Sequence, residues 1–173
     1  MMNFKLKTGK SVTLRQAEMS DYESVNLYLN KIATETIYTQ YYPGRSVATP
    51  DQFQKDIQNN LYCLARDEEK IIGAVSAKVL EPNHPWKNKI CRFGVHVLKA
   101  YQNQGLGNQL MVVLEEWAKN RQLHKIEAVV RDENRQALAL YIKHGFIIEG
   151  FRHDTALIDG VWHGDYDIGK VLD

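Results

Sequence analysis

The sequence predicts a mixed α/β fold built as one domain. Segments with strand-like composition and segments with apolar residues at helical spacing alternate along the chain, which is typical of folds that layer helices on a sheet. Of the 173 residues, 44% are hydrophobic, enough for one well-formed core. The four prolines are scattered, and no repeat or Gly/Ser-rich linker divides the chain, so we expect one domain over residues 1–173.

Charge and hydropathy exclude several classes of protein. The 22 lysine and arginine residues nearly cancel the 21 aspartate and glutamate residues, leaving a net charge of +1 and no overall field for nucleic acid. No apolar run reaches the length of a membrane span, and residues 1–10 lack the apolar core of a signal peptide. We therefore expect a cytoplasmic protein that binds neither nucleic acid nor membrane, with Cys63 and Cys91 as buried thiols.

The first half of the chain predicts a strand, helices and a hairpin. Residues 11–16 alternate as a short strand. A helix follows from Tyr22, where apolar residues recur at helical spacing. Residues 34–50 fit no single period and favour a second short helix that runs into a loop. Residues 61–66 and 70–80, separated by an acidic turn, predict a β-hairpin.

The second half predicts strands joined by two helices. Residues 81–89, with two prolines, favour a loop. The helix that starts at Gly107 has the clearest apolar face in the chain. Asn134 can cap another helix, which Gly145 ends. Strands are expected at residues 90–98, 125–130, 146–150 and 165–171.

The segment QNQGLG at residues 102–107 stands between a predicted strand and the clearest helix. Such a turn exposes unpaired backbone N–H groups, and glycine lets a phosphate approach them closely. A P-loop is excluded because no GK[ST] follows, and a dinucleotide-binding fingerprint is excluded because Leu110 stands where the third glycine would be. The glycines alone fit a ligand-free turn equally well.

Two stretches around this turn extend the pattern. They read VHVLKAYQNQGLGNQLM and, after a strand, NRQALALYIKHGF. In this order they resemble the GCN5-related N-acetyltransferase (GNAT) family, and the opening strand and helix are similar as well. The resemblance implies a GNAT fold with a mixed, mostly antiparallel central sheet of six to seven strands flanked by about four helices. It also implies an acetyl-CoA-dependent N-acetyltransferase that needs no metal.

The resemblance assigns the coenzyme site residue by residue. Val95, His96 and Val97 would pair with the pantetheine arm, and Asn134 would contact the arm from the other side. Tyr141 would lie beside the thioester sulfur. The backbone of Gln104, Gly105, Leu106, Gly107 and Asn108 would hold the pyrophosphate, and Gln102 and Asn103 complete the coenzyme site at the glycine turn.

Acetyl transfer needs a neutral amine, a donor for the oxyanion and a proton for the leaving thiolate. Tyr141 is our candidate general acid, and a free amide near Val97 is the candidate oxyanion donor. Related enzymes that acetylate ribosomal proteins carry a glutamate where this chain has Val129. Glu127 and His96 are the tentative bases at neighbouring positions, and our hypothesis is that the proton instead leaves through bound water or a loop residue.

The acceptor is expected to be a primary amine of a small molecule or a protein. Candidate contacts come from the loop 38–45, the loop 81–89 and the last hairpin, and the residues selected are Tyr38, Glu81, Asp154 and Asp165. Two further functions stay open, a non-catalytic acyl-CoA sensor and a plain nucleotide-binding protein. His153 and His163 are too far apart for a metal pair, so no metal is expected. We also expect a homodimer.

Overall fold

A computed structural model describes residues 1–43 and 48–172, and it centres on one eight-stranded sheet. The strands are β1 (Met2–Lys5), β2 (Ser11–Gln16), β3 (Leu61–Asp67), β4 (Lys70–Val79), β5 (Ile90–Val97), β6 (Lys125–Arg131), β7 (Ile147–Ile158) and β8 (Val161–Val171). The helices of this part of the chain are α1 (Tyr22–Glu35), α2 (Pro50–Asn59), α3 (Leu106–Asn120) and α4 (Arg135–Lys143).

The sheet has the order β1-β2-β3-β4-β5-β6-β8-β7. Every neighbouring pair is antiparallel except β5 and β6, which run parallel. A parallel pair needs a crossover, and α3 supplies it between these two strands. The predicted mixed, mostly antiparallel fold with four helices is confirmed.

Two hydrophobic cores lie on opposite faces of the sheet. One lies under α3 and α4, where α3 buries Leu106, Leu110, Met111, Leu114 and Ala118 along a single helical face. The other lies under α1 and α2 and includes Tyr28, Leu29 and Phe53. Because α3 is anchored over the middle of the sheet, its first turn is fixed at the end of β5.

The structure differs from the sequence-based prediction at both ends of the chain and in the second helix. Strands β7 and β8 form one long hairpin over Ile147–Ile158 and Val161–Val171, instead of short strands at residues 146–150 and 165–171. The sheet has eight strands instead of six or seven, because the four-residue β1 was too short to predict and forms by pairing with β2. The second helix begins at Pro50, after the loop instead of before it. Proline suits the first position of a helix, and the Thr49 hydroxyl caps it by accepting a hydrogen bond from the Gln52 amide at 3.3 Å.

Both cysteines are buried as predicted, and neither forms a disulfide. Burial raises the pKa of Cys63 to about 11 and that of Cys91 to about 12, so both stay protonated and unreactive at neutral pH. Within the described ranges, no helix is long and apolar enough to cross a membrane.

Candidate active site

Strands β5 and β6 separate partway along their length. They pair only from Ile90 to Arg92 on β5 and from Lys125 to Glu127 on β6, yet β5 continues to Val97 and β6 to Arg131. Beyond the last pair, Arg92 and Glu127, the edge of β5 that faces β6 has no strand partner. The two strands therefore bound a wedge-shaped gap that is open to a ligand.

The backbone of β5 presents alternate peptide groups to this gap. The Leu98 amide donates to the Ile72 carbonyl on the β4 side. Since successive peptide groups of a strand point to opposite sides, those of Phe93, Val95 and Val97 point toward the gap. The Val97 carbonyl accepts a hydrogen bond from Gln102 Nε2 at 3.1 Å, whereas its amide remains available. A strand-like ligand can pair here with Val95 and Val97.

The turn that joins β5 to α3 is held in an unusual backbone conformation. Gly105 caps the helix with a φ of 89°, a left-handed conformation that glycine adopts without strain, and Asn103 has a φ of 61°. The first hydrogen bond of the helix is donated by the Gln109 amide to the Gly105 carbonyl. The preceding amides point out of the helix end and form a site suited to phosphate.

Neighbouring elements brace the turn. The Lys7 amide donates to the Gln104 carbonyl at 3.1 Å, and the Thr8 hydroxyl donates to Gln104 Oε1 at the same distance. A Cβ on Gly107 would stand 3.3 Å from Leu140, so glycine here lets α4 pack closely against the start of α3. The turn is therefore held by contacts from the β1–β2 turn and from α4.

The gap and the turn open into one cavity of about 660 Å³. It contains most of the predicted coenzyme residues: Val95, His96, Val97, Gln102, Asn103, Gly105, Gly107, Asn108, Asn134 and Tyr141. The side chains of Gln104 and Leu106 do not line it. Gln104 is engaged in the bracing contacts, and Leu106 is fully buried in the core, so only their backbone groups can serve a ligand.

Four cations on the cavity wall were not found from the sequence. Lys7, Lys99, Arg135 and Lys143 line it, against two carboxylates. They come from three separate segments, with Arg135 and Lys143 at the two ends of α4, so no local pattern marks them as a group. Their excess positive charge suits an anionic ligand whose phosphates lie at the start of α3.

Tyr141 lies on α4 and is buried at the side of the gap. Its ring packs edge-on against Phe93, with ring centroids 5.2 Å apart, and in a tilted arrangement against Phe146, with ring centroids 6.0 Å apart. No residue of the described ranges forms a hydrogen bond with its hydroxyl, although the residue lines the cavity. Burial raises the pKa of Tyr141 well above its usual value, so the phenol keeps its proton at neutral pH.

Asn134 closes the cavity on the α4 side. Its side-chain oxygen caps α4 by accepting a hydrogen bond from the Ala137 amide at 3.2 Å. The capping bond uses the oxygen and leaves the amide NH2 as a donor on the cavity wall. Next to it, Gln136 Nε2 donates to Asn103 Oδ1 at 3.0 Å and joins α4 to the glycine turn.

His96 lies on the opposite face of β5 from Phe93. Its Nε2 is 3.2 Å from the Thr39 hydroxyl, and the Tyr41 ring packs against it edge-on at 5.8 Å. Burial lowers the pKa of the imidazole to about 4, so the ring is neutral at pH 7 and a weak base. These contacts hold the loop that follows α1 over the cavity.

Glu127 lies on β6 at the last rung before the gap. Its Oε1 accepts hydrogen bonds from Arg92 Nη2 at 2.5 Å and Arg92 Nε at 3.2 Å. It shares a sheet face with His96 and Val129, but it does not line the cavity. As a base it would have to act from within an ion pair.

The predicted acceptor residues are dispersed. Tyr38 lines the cavity. Glu81 lies in the β4–β5 loop and pairs with Lys87 at 3.1 Å, and Asp154 is exposed at an irregularity of β7 with a φ of 51°. Asp165 is buried on β8, 2.9 Å from Arg131. Residues 44–45 of the predicted acceptor loop lie outside the described residues.

In the described part of the chain, no group of three or more His, Cys, Asp or Glu side chains is placed to hold a metal ion. His163 is buried, with Nδ1 3.8 Å from Asp132 and 3.7 Å from Glu133. His153 is exposed and packs against Phe151.

Comparison with known proteins agrees with this geometry. The model of the acetyltransferase (GNAT) family matches residues 31–146. The L-amino acid N-acetyltransferase of Escherichia coli K12 is 25% identical over 168 residues, spanning 92% of this chain and 98% of that protein. A GNAT-family acetyltransferase structure from Streptococcus pneumoniae superposes with a TM-score of 0.85 at 26% identity, covering 94% of this chain and 99% of the other.

A phosphinothricin acetyltransferase of Sinorhizobium meliloti, solved in complex with AcCoA, shares the fold. Its TM-score is 0.82 at 21% identity, covering 93% of this chain and 88% of the other. The family match spans the gap, the glycine turn and Tyr141, which together form the cavity. The chain belongs to the acetyltransferase (GNAT) family.

Proposed function

We propose that the protein transfers an acetyl group from acetyl-CoA to a primary amine by direct attack within a ternary complex. One observation carries the proposal: the unpaired edge of β5 leads directly into the amide-lined start of α3, and the buried hydroxyl of Tyr141 lies at the side of the same gap. An extended arm that ends in phosphates at one end and a thioester at the other fits this arrangement.

Different parts of the coenzyme bind to different residues in this proposal. The amides of residues 104–108 bind the pyrophosphate, helped by the cations of the cavity wall. Val95 and Val97 pair with the amides of the pantetheine arm, and the free NH2 of Asn134 contacts the arm from across the gap. Acetyl-CoA acts as the cosubstrate.

The reacting centre lies between β5 and Tyr141. The neutral amine attacks the carbonyl carbon, the C–N bond forms, and the C–S bond breaks. A free amide of the β5 edge near Val97, one that does not pair with the arm, donates to the oxygen as negative charge develops there. Tyr141 acts as general acid and donates its O–H to the sulfur; a thiol has a pKa of about 8.5, so the protonated phenol stabilises the thiolate as it leaves.

The amine loses its proton through water in this proposal. Freeing a lysine-like amine of pKa about 10.4 costs about 4.6 kcal/mol at pH 7, whereas an α-amino group of pKa about 7.8 costs about 1.1 kcal/mol. His96, with a pKa near 4, is too weak a base to hold this proton, and Glu127 is committed to Arg92. We therefore assign proton removal to water next to these side chains.

The test is release of free thiol from acetyl-CoA across a panel of primary amines, both small molecules and peptides. We expect release well above background with at least one amine. If the Glu127→Ala and His96→Ala variants fold but lose the alkaline rise of kcat/KM, the water relay is wrong and one of these side chains is the base.

A second candidate function is an acyl-CoA sensor without turnover. Val129 stands where related enzymes carry a glutamate, and the nearby Glu127 is held in an ion pair, which favours this alternative. Tight binding of acetyl-CoA by calorimetry, together with background thiol release for every amine, would establish the sensor and exclude the enzyme.

We also propose a cytoplasmic homodimer. The two unpaired, buried thiols agree with a reducing compartment. Strand β7 forms an outer edge of the sheet, and apolar side chains are exposed on it and on β8, including Ile147, Leu157 and Trp162. A free strand edge with exposed apolar residues is a template for pairing with a second copy.

A further inference from the structure

In the part of the sheet formed by β6, β7 and β8, one face packs against the hydrophobic core under α3 and α4, and the opposite face carries ion pairs. Under α3 and α4, strands β6 and β8 bury Ile126, Ala128 and Ile168. On the opposite face, the core under α1 and α2 receives no residue from β6, β7 or β8 among the described positions. This outer face of β6, β7 and β8, together with the adjoining Arg92 of β5, is the charged face.

Two ion pairs of the charged face border the gap. Arg92 Nη2 is 2.5 Å from Glu127 Oε1 at the last rung before the strands separate. At the other end of β6, Arg131 Nη1 is 2.9 Å from Asp165 Oδ1. The Arg92 side chain is half exposed, whereas Arg131 and Asp165 are largely buried.

Two further pairs continue the pattern away from the gap. Lys125 Nζ is 2.6 Å from Glu149 Oε2, and Arg152 Nε is 3.0 Å from Asp167 Oδ2. Each of the four cations thus has its own carboxylate. The charged face has no surplus of either sign in these four pairs.

The charged face is the side from which an acceptor can reach the gap. Phe93 and Tyr141 lie on the side of α3 and α4, where the helices cover the sheet. Arg92, Gly94 and His96 alternate with Phe93 and so point to the opposite side. An amine that arrives from there meets the Arg92–Glu127 pair at the narrow end of the gap.

We propose that the acceptor is a free α-amino acid, whose carboxylate binds Arg92 and whose amino group is first held by Glu127. This inference rests on the proposed acetyl transfer. A zwitterion can exchange partners with an existing ion pair, so each partly buried charge stays compensated. The planar guanidinium suits a carboxylate, which it can bind through two parallel hydrogen bonds.

The same arrangement disfavours a polyamine. A polyamine brings several positive charges and no negative one, and the carboxylates of the charged face are already neutralised. A peptide amino terminus lacks the α-carboxylate that Arg92 would bind. The Arg92–Glu127 pair therefore acts as a specificity determinant in favour of the free amino acid.

The experiment measures thiol release from acetyl-CoA. It compares each L-amino acid with its α-carboxamide, with spermidine and with a tripeptide that has a free amino terminus. The carboxamide is less basic and more of it is neutral at pH 7, so intrinsic reactivity favours the carboxamide. We expect the wild-type protein to prefer the best amino acid over its carboxamide by about tenfold or more in kcat/KM.

The Arg92→Gln variant should lose this preference by raising KM for the amino acid alone. That change leaves the Glu127 carboxylate without its partner, which could destabilise the fold. The double variant Arg92→Gln/Glu127→Gln removes both charges, so a loss of the preference in it reflects lost recognition and not misfolding. Arg121→Gln, at the far end of α3, is the matched control and should retain the preference.

Binding makes the outcome independent of turnover. Calorimetry with the CoA-loaded protein should detect the amino acid and should not detect its carboxamide. The proposal is wrong if the wild type shows equal kcat/KM and equal binding for the amino acid and its carboxamide. A higher kcat/KM with spermidine or the tripeptide also contradicts it. Absent thiol release with every amine refutes acetyl transfer, whereas the calorimetric comparison still decides amino-acid recognition.

Discussion

At the scale of the residue, the proposed chemistry depends most on the hydroxyl of Tyr141. Its ring is fixed by Phe93 and Phe146, while its hydroxyl has no hydrogen-bond partner in the described ranges. Because Tyr141 lines the cavity, this hydroxyl is placed to donate to a ligand atom there. The thioester sulfur is the atom that the family resemblance places beside it.

The Tyr141→Phe variant tests this assignment. We expect kcat to fall about ten- to a hundredfold, because the thiolate loses its donor, while acetyl-CoA binding changes little. The ring contacts remain and no protein group loses a partner, so the melting temperature should not fall. An unchanged kcat would contradict the role of Tyr141.

His96 predicts a specific dependence of stability on pH. Its folded-state pKa of about 4 lies below the value of about 6.5 expected when the chain unfolds. As the pH falls below 6.5, the unfolded state binds a proton that the folded state refuses, so the wild type loses stability until about pH 4.

We expect the His96→Gln variant to lack this loss. From pH 7 to pH 4, the unfolding free energy of the wild type should fall by about 3 kcal/mol more than that of the variant, as measured by urea denaturation. His153→Gln is the control, because His153 is exposed. Parallel stability curves for wild type and His96→Gln would show that His96 is not kept neutral by burial.

At the scale of the element, the start of α3 is the feature that the sequence revealed most directly. Two glycines between a strand and an amphipathic helix predicted a tight turn, which the family-like stretches around it marked as a phosphate-binding site. The structure adds the contacts of this turn with Lys7 and Thr8 through Gln104. Those contacts come from the β1–β2 turn, nearly a hundred residues away. Sequence periodicity has no signal for such long-range support.

The Gly105→Ala variant tests whether the backbone of this turn serves the coenzyme. A Cβ at a φ of 89° costs about 1–2 kcal/mol, and relief of that strain would reorient the exposed amides. We expect the dissociation constant for acetyl-CoA to rise about tenfold.

Gly160 provides a matched control for this change. It has a φ of 82° in the β7–β8 turn, and an added Cβ would meet nothing within 4 Å. Gly160→Ala should therefore lose similar stability and bind acetyl-CoA normally. Similar losses of acetyl-CoA affinity in both variants would indicate a general loss of stability and not a specific role of Gly105.

At the scale of the whole molecule, the sheet ends on one side in the long strand β7. If two copies pair through this edge as proposed, light scattering at micromolar concentration should give twice the chain mass of 20.0 kDa. Ile147 is exposed in the single chain, so Ile147→Lys should produce monomers without loss of folding. A wild-type mass near 20 kDa would refute the dimer.

Much of the fold was predictable because its elements carry local patterns. Strands β2 to β6 and helices α1, α3 and α4 have clear apolar periodicity, and caps such as Asn134 mark their ends. Strand β1 was missed because it is short and forms only by pairing with β2. Helix α2 was placed too early, since Pro50, the last residue of the predicted helix and loop, is instead the first residue of the helix.

The sequence by itself determined the fold class, the family resemblance and the position of the glycine turn, because these depend on local spacing and residue type. The tertiary structure decided which charged groups meet. It pairs Glu127 with Arg92 and Asp165 with Arg131, removes Glu81 and Asp165 from the cavity, and collects four cations from distant segments around it. Electrostatic interactions depend on separation in space and on burial, and the order of residues along the chain records neither.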